Sequence, residues 1–211
     1  MGPVRCGDRR LTLYRLTIPP HAPGMRIGLF GGSFNPPHEG HLLVSRIALA
    51  RLGLARLWWL VTPGNPLKDT SALPPLASRI EAARRFARDP RIVVTGIEAD
   101  IGARYTADTL DYLRARCPGV RFVWVMGGDN LLQFHRWRDW EAILRAMPVA
   151  VVDRPGAAIR VASAKAVQRF AGAMRPETEA RLLPDAKPPA VIYLHGPRSA
   201  ASSTALRQGG G

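Results

Sequence analysis

From position 26 onward, short apolar runs recur along the chain, separated by stretches whose apolar residues fall at helical spacing. The runs cover 26–30, 57–62, 91–95, 121–126, 149–153 and 191–194. They are rich in Val, Ile, Leu and Trp, and turn residues bound each one, which predicts strands. Their apolar character is continuous rather than alternating. Both faces are therefore expected to be buried, as in a parallel sheet. Between them, 41–52, 74–88, 106–116 and 140–146 read as helices. In the first of these, Leu43, Ile47 and Ala50 fall at i, i+4 and i+7 and predict its apolar face, with Gly53 as its stop. The region 155–187 is less regular and is expected to be helical with Pro-rich ends. Alternation of strand and helix predicts a doubly wound α/β domain, a parallel sheet with helices on both faces. Its ligand is expected beyond the carboxyl ends of the strands, where strand order reverses.

A chain of 211 residues suits one such domain. Residues 1–24 carry Pro19-Pro20, His21 and Pro23 and read as a poorly ordered N-terminal extension; residues 25–211 read as a single domain. No run approaches the roughly 18 apolar residues of a membrane span, so no membrane partner is expected. The N-terminus lacks the apolar core of a signal peptide. Cys6 and Cys117 are far apart and in no metal-binding spacing, which fits free thiols in a reducing, cytoplasmic setting. The formal net charge is +14, and the excess is nearly all arginine, spread along the chain. Solvated basic faces explain it first and steering of phosphate ligands second. Nucleic-acid binding comes last, because no dense basic tract or basic–aromatic cluster is present.

The chemistry concentrates in the first loop, Gly31-Gly32-Ser33-Phe34-Asn35-Pro36-Pro37-His38-Glu39-Gly40-His41. Two glycines at the strand end are expected to let the backbone turn sharply and approach a ligand. Pro36-Pro37 stiffens the return. His38 and His41 flank the opening of the next helix, on one side of its first turn. A helix start offers free N–H groups and a positive dipole end. Two imidazole donors beside it make a polyphosphate site. The loop is neither a Gly-x-x-x-x-Gly-Lys-Ser/Thr loop nor a Gly-x-Gly-x-x-Gly fingerprint, and it is not a nucleophile elbow. A second phosphate-like segment, Ala201-Ser202-Ser203-Thr204-Ala205-Leu206-Arg207, follows the last predicted strand. Its hydroxyls suit helix capping. They also suit, with the fork of Arg207, a grip on phosphate oxygens.

The first loop resembles the HxGH signature of the nucleotidyltransferase superfamily, distantly related to the HIGH motif of class I aminoacyl-tRNA synthetases. In its extended form it resembles bacterial nicotinate-nucleotide adenylyltransferases, and 201–207 resembles their ISSTxIR motif. The resemblance implies a Rossmann-like fold and adenylyl transfer from ATP to nicotinate mononucleotide in NAD biosynthesis, giving nicotinate adenine dinucleotide and pyrophosphate. It implies ATP contacts by Gly31, Gly32, Ser33, Phe34, His38, His41, Asp129, Ser203, Thr204 and Arg207. Of these, His38, His41 and Arg207 are the expected catalytic groups. Asp129, in a Gly-x-Asp segment, is placed at the adenosine and otherwise reads as a helix cap. Lys68 is placed near the acceptor phosphate and otherwise reads as an exposed loop lysine. Tyr105 and Thr106 match the SYTxxTL segment that holds the nicotinate carboxylate, with Arg104 in place of Ser; Thr106 otherwise caps a helix. Trp137 matches a Trp that stacks on the pyridine ring and otherwise reads as core. Arg154 matches the Arg-Pro-Gly segment after the fifth strand, which places it beside a phosphate or the adenine, among the residues for nicotinate mononucleotide.

The acceptor phosphate is anionic at neutral pH and needs no general base. In-line attack on the α-phosphorus without a covalent intermediate is therefore expected, driven by positioning and charge stabilisation. Mg²⁺ is expected to accompany ATP, held mainly by phosphate oxygens and water, with no protein cage. Three rivals remain at this point. One is another transferase of the same fold, such as phosphopantetheine adenylyltransferase. The second is a preference for nicotinamide mononucleotide. The third is a non-catalytic nucleotide sensor or RNA-binding module. Oligomeric state is left open.

Overall fold

The strands form where β-branched and aromatic residues run without polar interruption. In the computed structural model, which describes residues 18–64, 72–153 and 164–196, they are β1 (Arg26–Gly32), β2 (Arg56–Val61), β3 (Ile92–Thr95), β4 (Arg121–Gly127), β5 (Val149–Val152), β6 (Met174–Arg175) and β7 (Val191–Leu194). Six match the predicted runs. β6 has two residues, too few to carry a pattern. The strands make one seven-stranded sheet in the order β3-β2-β1-β4-β5-β7-β6. Every described pairing is parallel. The chain steps outward from β1 through β2 to β3, then returns to lay β4 on the other side of β1. The strand order therefore reverses between β1 and β4, and beyond their carboxyl ends lies the position where such a sheet forms its ligand crevice.

Helices cover both faces: α1 (Glu39–Arg51), α2 (Leu76–Phe86), α3 (Ile97–Asp100), α4 (Thr106–Arg116), α5 (Gly128–Gln133), α6 (Trp140–Ala146) and α7 (Lys165–Arg169). One core contains Trp58, Trp124, Leu110 and Phe134; the other contains Phe30, Phe34, Ala48 and Trp59. Trp58 and Trp59 are neighbours in sequence yet belong to opposite faces, as strand alternation requires. The result is the expected Rossmann-like doubly wound fold. The less regular region holds α7 and two 3₁₀ segments, Ala171–Ala173 and Glu177–Asp185.

Three local expectations change. The buried face of α1 is His41, Val44, Ser45 and Ala48, whereas Leu43 and Ile47 are half-buried and Ala50 is exposed. The helix is apolar nearly all round, so apolar spacing alone does not orient it; the polar His41 and Ser45 face inward. Next, 18–24, placed in the expected extension, lie against the domain. Ile18 packs on a core cluster and the Gly24 N–H donates to the Gly119 carbonyl at 2.8 Å. Finally, α5 and the 3₁₀ turn Phe134–Arg136 directly follow β4, in a stretch too short to show periodicity. At the amino ends of the strands, Asp185 joins Arg26 of β1 to Arg121 of β4. No helix among the described residues is long and apolar enough to cross a membrane.

Candidate active site

The loop from β1 to α1 reaches the crevice, and its two glycines do something other than turn. Both lie within β1, and neither has a positive φ. A Cβ on Gly31 would come within 2.9 Å of Cη2 of Trp124, and one on Gly32 within 3.2 Å of the Phe34 ring. They are glycines because aromatic rings press on the strand end. The turn falls instead on Phe34, at φ 46°, a strained value for a bulky residue. Phe34 is held there by stacking on Trp59, with centroids 4.6 Å apart and planes 16° apart, and by the His41 ring at 4.7 Å. Its side chain is buried, so a ligand meets only its backbone. The Asn35–Pro36 peptide bond is cis.

His38 and His41 then cap α1 reciprocally. Nδ1 of His38 accepts from the Gly40 N–H at 3.1 Å, and Nδ1 of His41 accepts from the His38 N–H at 3.2 Å. The rings lie 3.8 Å apart, and both are buried. This is a capping box made of two imidazoles. It fixes the tautomers: an Nδ1 that accepts carries no hydrogen, so each neutral ring carries it on Nε2. Below them, Ser45 donates to the His41 carbonyl at 2.7 Å and accepts from Trp59 Nε1 at 2.8 Å.

On the other side of the crevice, β4 ends in Gly127 and α5 begins at once. Gly127, not Asp129, is the cap residue; Asp129 lies in the first turn and is exposed. Trp137 is half-buried, edge-on to Trp124 at 6.1 Å and to Phe134 at 5.2 Å. Trp124 thus touches both the Gly31 backbone and the Trp137 ring. At the start of α4 the cap is Tyr105 and Thr106 is the first helical residue; among the described residues no side chain caps this end. The Arg138 guanidinium lies 4.6 Å over the Tyr105 ring.

A family model described as cytidylyltransferase-like matches residues 29–209. A protein of Methylorubrum extorquens named probable nicotinate-nucleotide adenylyltransferase is 61% identical over 183 residues, covering 87% of this chain and 99% of that one. One of Rhizobium leguminosarum bv. trifolii with the same name is 53% identical over 185 residues, covering 88% and 96%. The chain belongs to the nicotinate-nucleotide adenylyltransferase family. As an adenylyltransferase it is an enzyme, of the nucleotidyltransferase class. Its fold is shared with the Plasmodium falciparum nicotinic acid mononucleotide adenylyltransferase complexed with NaAD, at TM-score 0.65 and 16% identity over 87% of this chain and 83% of that one.

Within the family assignment, the described site residues divide into two groups. Gly31, Gly32, Ser33, Phe34, His38 and His41 lie along one segment, from the end of β1 to the first turn of α1. Asp129, Trp137, Tyr105 and Thr106 come from α5, the turn after it and α4. Lys68, Arg154, Ser203, Thr204 and Arg207 lie outside the described residues. Among the described residues no group of three or more His, Cys, Asp or Glu is placed to hold a metal ion.

Several residues of this adenylyltransferase escaped the sequence reading. Arg79 on α2 is only 3% exposed. It donates to the carbonyls of Pro74 at 3.0 Å, Ser33 at 2.9 Å, Thr62 at 2.8 Å and Pro63 at 3.1 Å. Burial lowers its pKa, and the carbonyls replace its lost hydration. Glu98 of α3 is 7% exposed, with the hydroxyls of Thr62 and Thr109 facing its carboxyl. Burial pushes its pKa to about 7, against the pull of those hydroxyls. An arginine on an amphipathic helix and a glutamate in a short turn look solvent-facing in sequence. Trp124 carried no signal beyond that of a core strand.

Proposed function

We propose that this enzyme transfers the adenylyl group of ATP to nicotinate mononucleotide, releasing pyrophosphate and nicotinate adenine dinucleotide. The observation that carries the reading is the imidazole pair at the start of α1. Its Nδ1 atoms accept from backbone N–H groups, so the hydrogen of each neutral ring sits on Nε2, the atom that donates to phosphate. The loop lies at the reversal of strand order, where an α/β sheet receives its ligand. The names of the relatives at 61% and 53% identity support the same acceptor.

In this mechanism a phosphate oxygen of nicotinate mononucleotide attacks the α-phosphorus in line. The new P–O bond forms as the bond to the β-phosphate oxygen breaks, and the electron pair leaves with pyrophosphate. No covalent enzyme intermediate forms, because the attacking oxygen is already anionic. His41 donates to the α-phosphoryl oxygens as charge shifts, and His38 donates beside it. By the family motif, Ser203, Thr204 and Arg207 hold the β- and γ-phosphates, Lys68 and Arg154 approach phosphate, and Asp129 accepts from the adenosine ribose. Mg²⁺ bound with ATP would be held mainly by phosphate oxygens and water, and would supply charge neutralisation at the leaving group. The open start of α4 receives the ring carboxylate through backbone N–H groups at Thr106, with a dipole that favours an anion over an amide. Trp137 offers its exposed face to the pyridine ring. A cytoplasmic setting belongs to the same reading.

A pyrophosphate-release assay with ATP and Mg²⁺ tests this directly. Nicotinate mononucleotide should be used in preference to nicotinamide mononucleotide and to phosphopantetheine. A clear preference for phosphopantetheine would overturn the reading.

A further inference from the structure

Beneath the crevice, two buried polar side chains, Arg79 and Glu98, meet at Thr62, the residue after β2. Its N–H donates to the Gly32 carbonyl at 3.0 Å, extending the β1–β2 ladder to the edge of the ATP-side loop. Its carbonyl accepts from Arg79, and the same guanidinium nitrogen donates to the carbonyl of Ser33. Its hydroxyl donates to the Gly64 carbonyl at 2.9 Å. That hydroxyl also faces Glu98, and Thr109 of α4 donates to Glu98 Oε1 at 3.4 Å. Thr109 lies one helical turn below Thr106, and the Glu98 carbonyl takes the Ala103 N–H at 2.8 Å, just ahead of Tyr105. One chain of polar contacts thus runs from Ser33 through Arg79, Thr62 and Glu98 to the start of α4.

We infer that Arg79 and Glu98 are positioning residues which, through Thr62, set the distance between the ATP-side loop and the acceptor-side start of α4. Both are too deeply buried to reach substrate. Thr62 has one hydroxyl hydrogen, and it goes to Gly64. The Thr62 oxygen then stands against the Glu98 carboxyl, and this contact joins the two halves of the chain. The Thr109 hydroxyl fills the other carboxyl oxygen. Arg79 holds carbonyls of both loops with a rigid fork, a geometry that a lysine ammonium does not reproduce. The inference rests on the proposed function for which halves of the site the chain joins, but its structural content is independent of the acceptor.

The test uses the full chain with Thr62→Val, Glu98→Met, Glu98→Gln and Arg79→Lys. In Thr62→Val and Glu98→Met, kcat with nicotinate mononucleotide should fall roughly tenfold to a hundredfold, as displaced reactants do. Dissociation constants of ATP alone and nicotinate mononucleotide alone should stay within about twofold of the parent, since each half-site is intact. Glu98→Gln keeps an N–H toward Thr62 and an oxygen toward Thr109, and should recover most of the loss. The double variant Thr62→Val, Glu98→Met should lose little more than either single one. Amide hydrogen exchange of the ligand-free protein supplies a readout free of the acceptor. Protection at 62–64 and 103–109 should fall in Glu98→Met and return in Glu98→Gln. Parental kcat in folded Thr62→Val, or unchanged protection in Glu98→Met, overturns the inference. If Arg79→Lys does not fold, the Thr62 and Glu98 variants decide alone. A parent inactive on nicotinate mononucleotide, whose Glu98→Met variant still loses protection, refutes the acceptor and upholds the chain.

Discussion

At His41 the Nδ1 atom is occupied by the His38 N–H, so donation to phosphate falls to Nε2. Capping and phosphate contact therefore belong to different atoms of one ring, and a substitution can separate them. Asn places an acceptor near the position of Nδ1 and nothing at that of Nε2. His41→Asn should keep α1 capped, with a cost below the ~1 kcal/mol typical of a lost cap. It should lower kcat by roughly 10²–10³-fold, the scale of one lost oxyanion donor. Thermal melting and pyrophosphate release measure the two parts; near-parental turnover would sink the role. Glu98 makes a second residue-level prediction. Its pKa in the fold, about 7, lies above the 4.5 of a free glutamate. The folded state therefore binds the extra proton. The resulting stabilisation is full below pH 4.5, declines as pH rises, and is gone once pH passes about 7. A shift of this size corresponds to a few kcal/mol, on the order of 3. Denaturant melts between pH 5 and 8 should show the decline, and Glu98→Gln should flatten it. An unchanged slope in that variant would assign the pH dependence to other groups.

Among the elements, β1 and β4 carry the crevice, and Gly31 against Trp124 is where they touch. Adding a methyl group there meets Cη2 at 2.9 Å, in a core with no slack. Gly31→Ala should cost about 1–3 kcal/mol, the usual range for overpacking. The Trp124 ring must yield, and Trp137 leans edge-on against it. KM for the acceptor should then rise more than KM for ATP in steady-state assays; an equal rise in both would place the disturbance in the ATP loop instead. The strands were legible in the sequence because each is a continuous apolar run that only a doubly covered parallel sheet can bury. The imidazole pair was legible because its spacing coincides with a helix start. What escaped is what sequence spacing does not encode. Gly31 and Gly32 looked like turn residues because the ring of Trp124, about 90 positions away in the chain, is not visible in the local pattern. Arg79 sits on a helix rich in exposed arginines, and only its four carbonyl contacts, three of them long-range, set it apart. The inward face of α1 was misjudged because a buried His and Ser count as polar in any apolar period.

For the whole molecule, the question is what a formal charge of +14 does for an enzyme whose proposed substrates are both anions. Many arginines are tied to carboxylates: Arg51 to Glu177, Arg91 to Asp89, Arg145 and Arg169 to Glu141. Exposed pairs of this kind contribute little stability, each about 0–1 kcal/mol. Their larger effect is on the field, because they use up the scarce acidic groups and leave the remaining arginines unbalanced. Asp185 is spent on Arg26 and Arg121 at the amino ends of β1 and β4, away from the crevice. A net positive field should speed the capture of polyanions, and salt should screen it, since the Debye length falls from ~30 Å at 0.01 M to ~10 Å at 0.1 M. Charges in direct contact between bound reactants and the site are screened much less. Raising NaCl from low to physiological strength should therefore lower kcat/KM for ATP and for the acceptor, with kcat within about twofold of its starting value, provided capture limits kcat/KM. Flat kcat/KM across the salt series would mean that the arginines only solvate the surface. A fall in kcat of the same size would place the sensitive charges in the site itself.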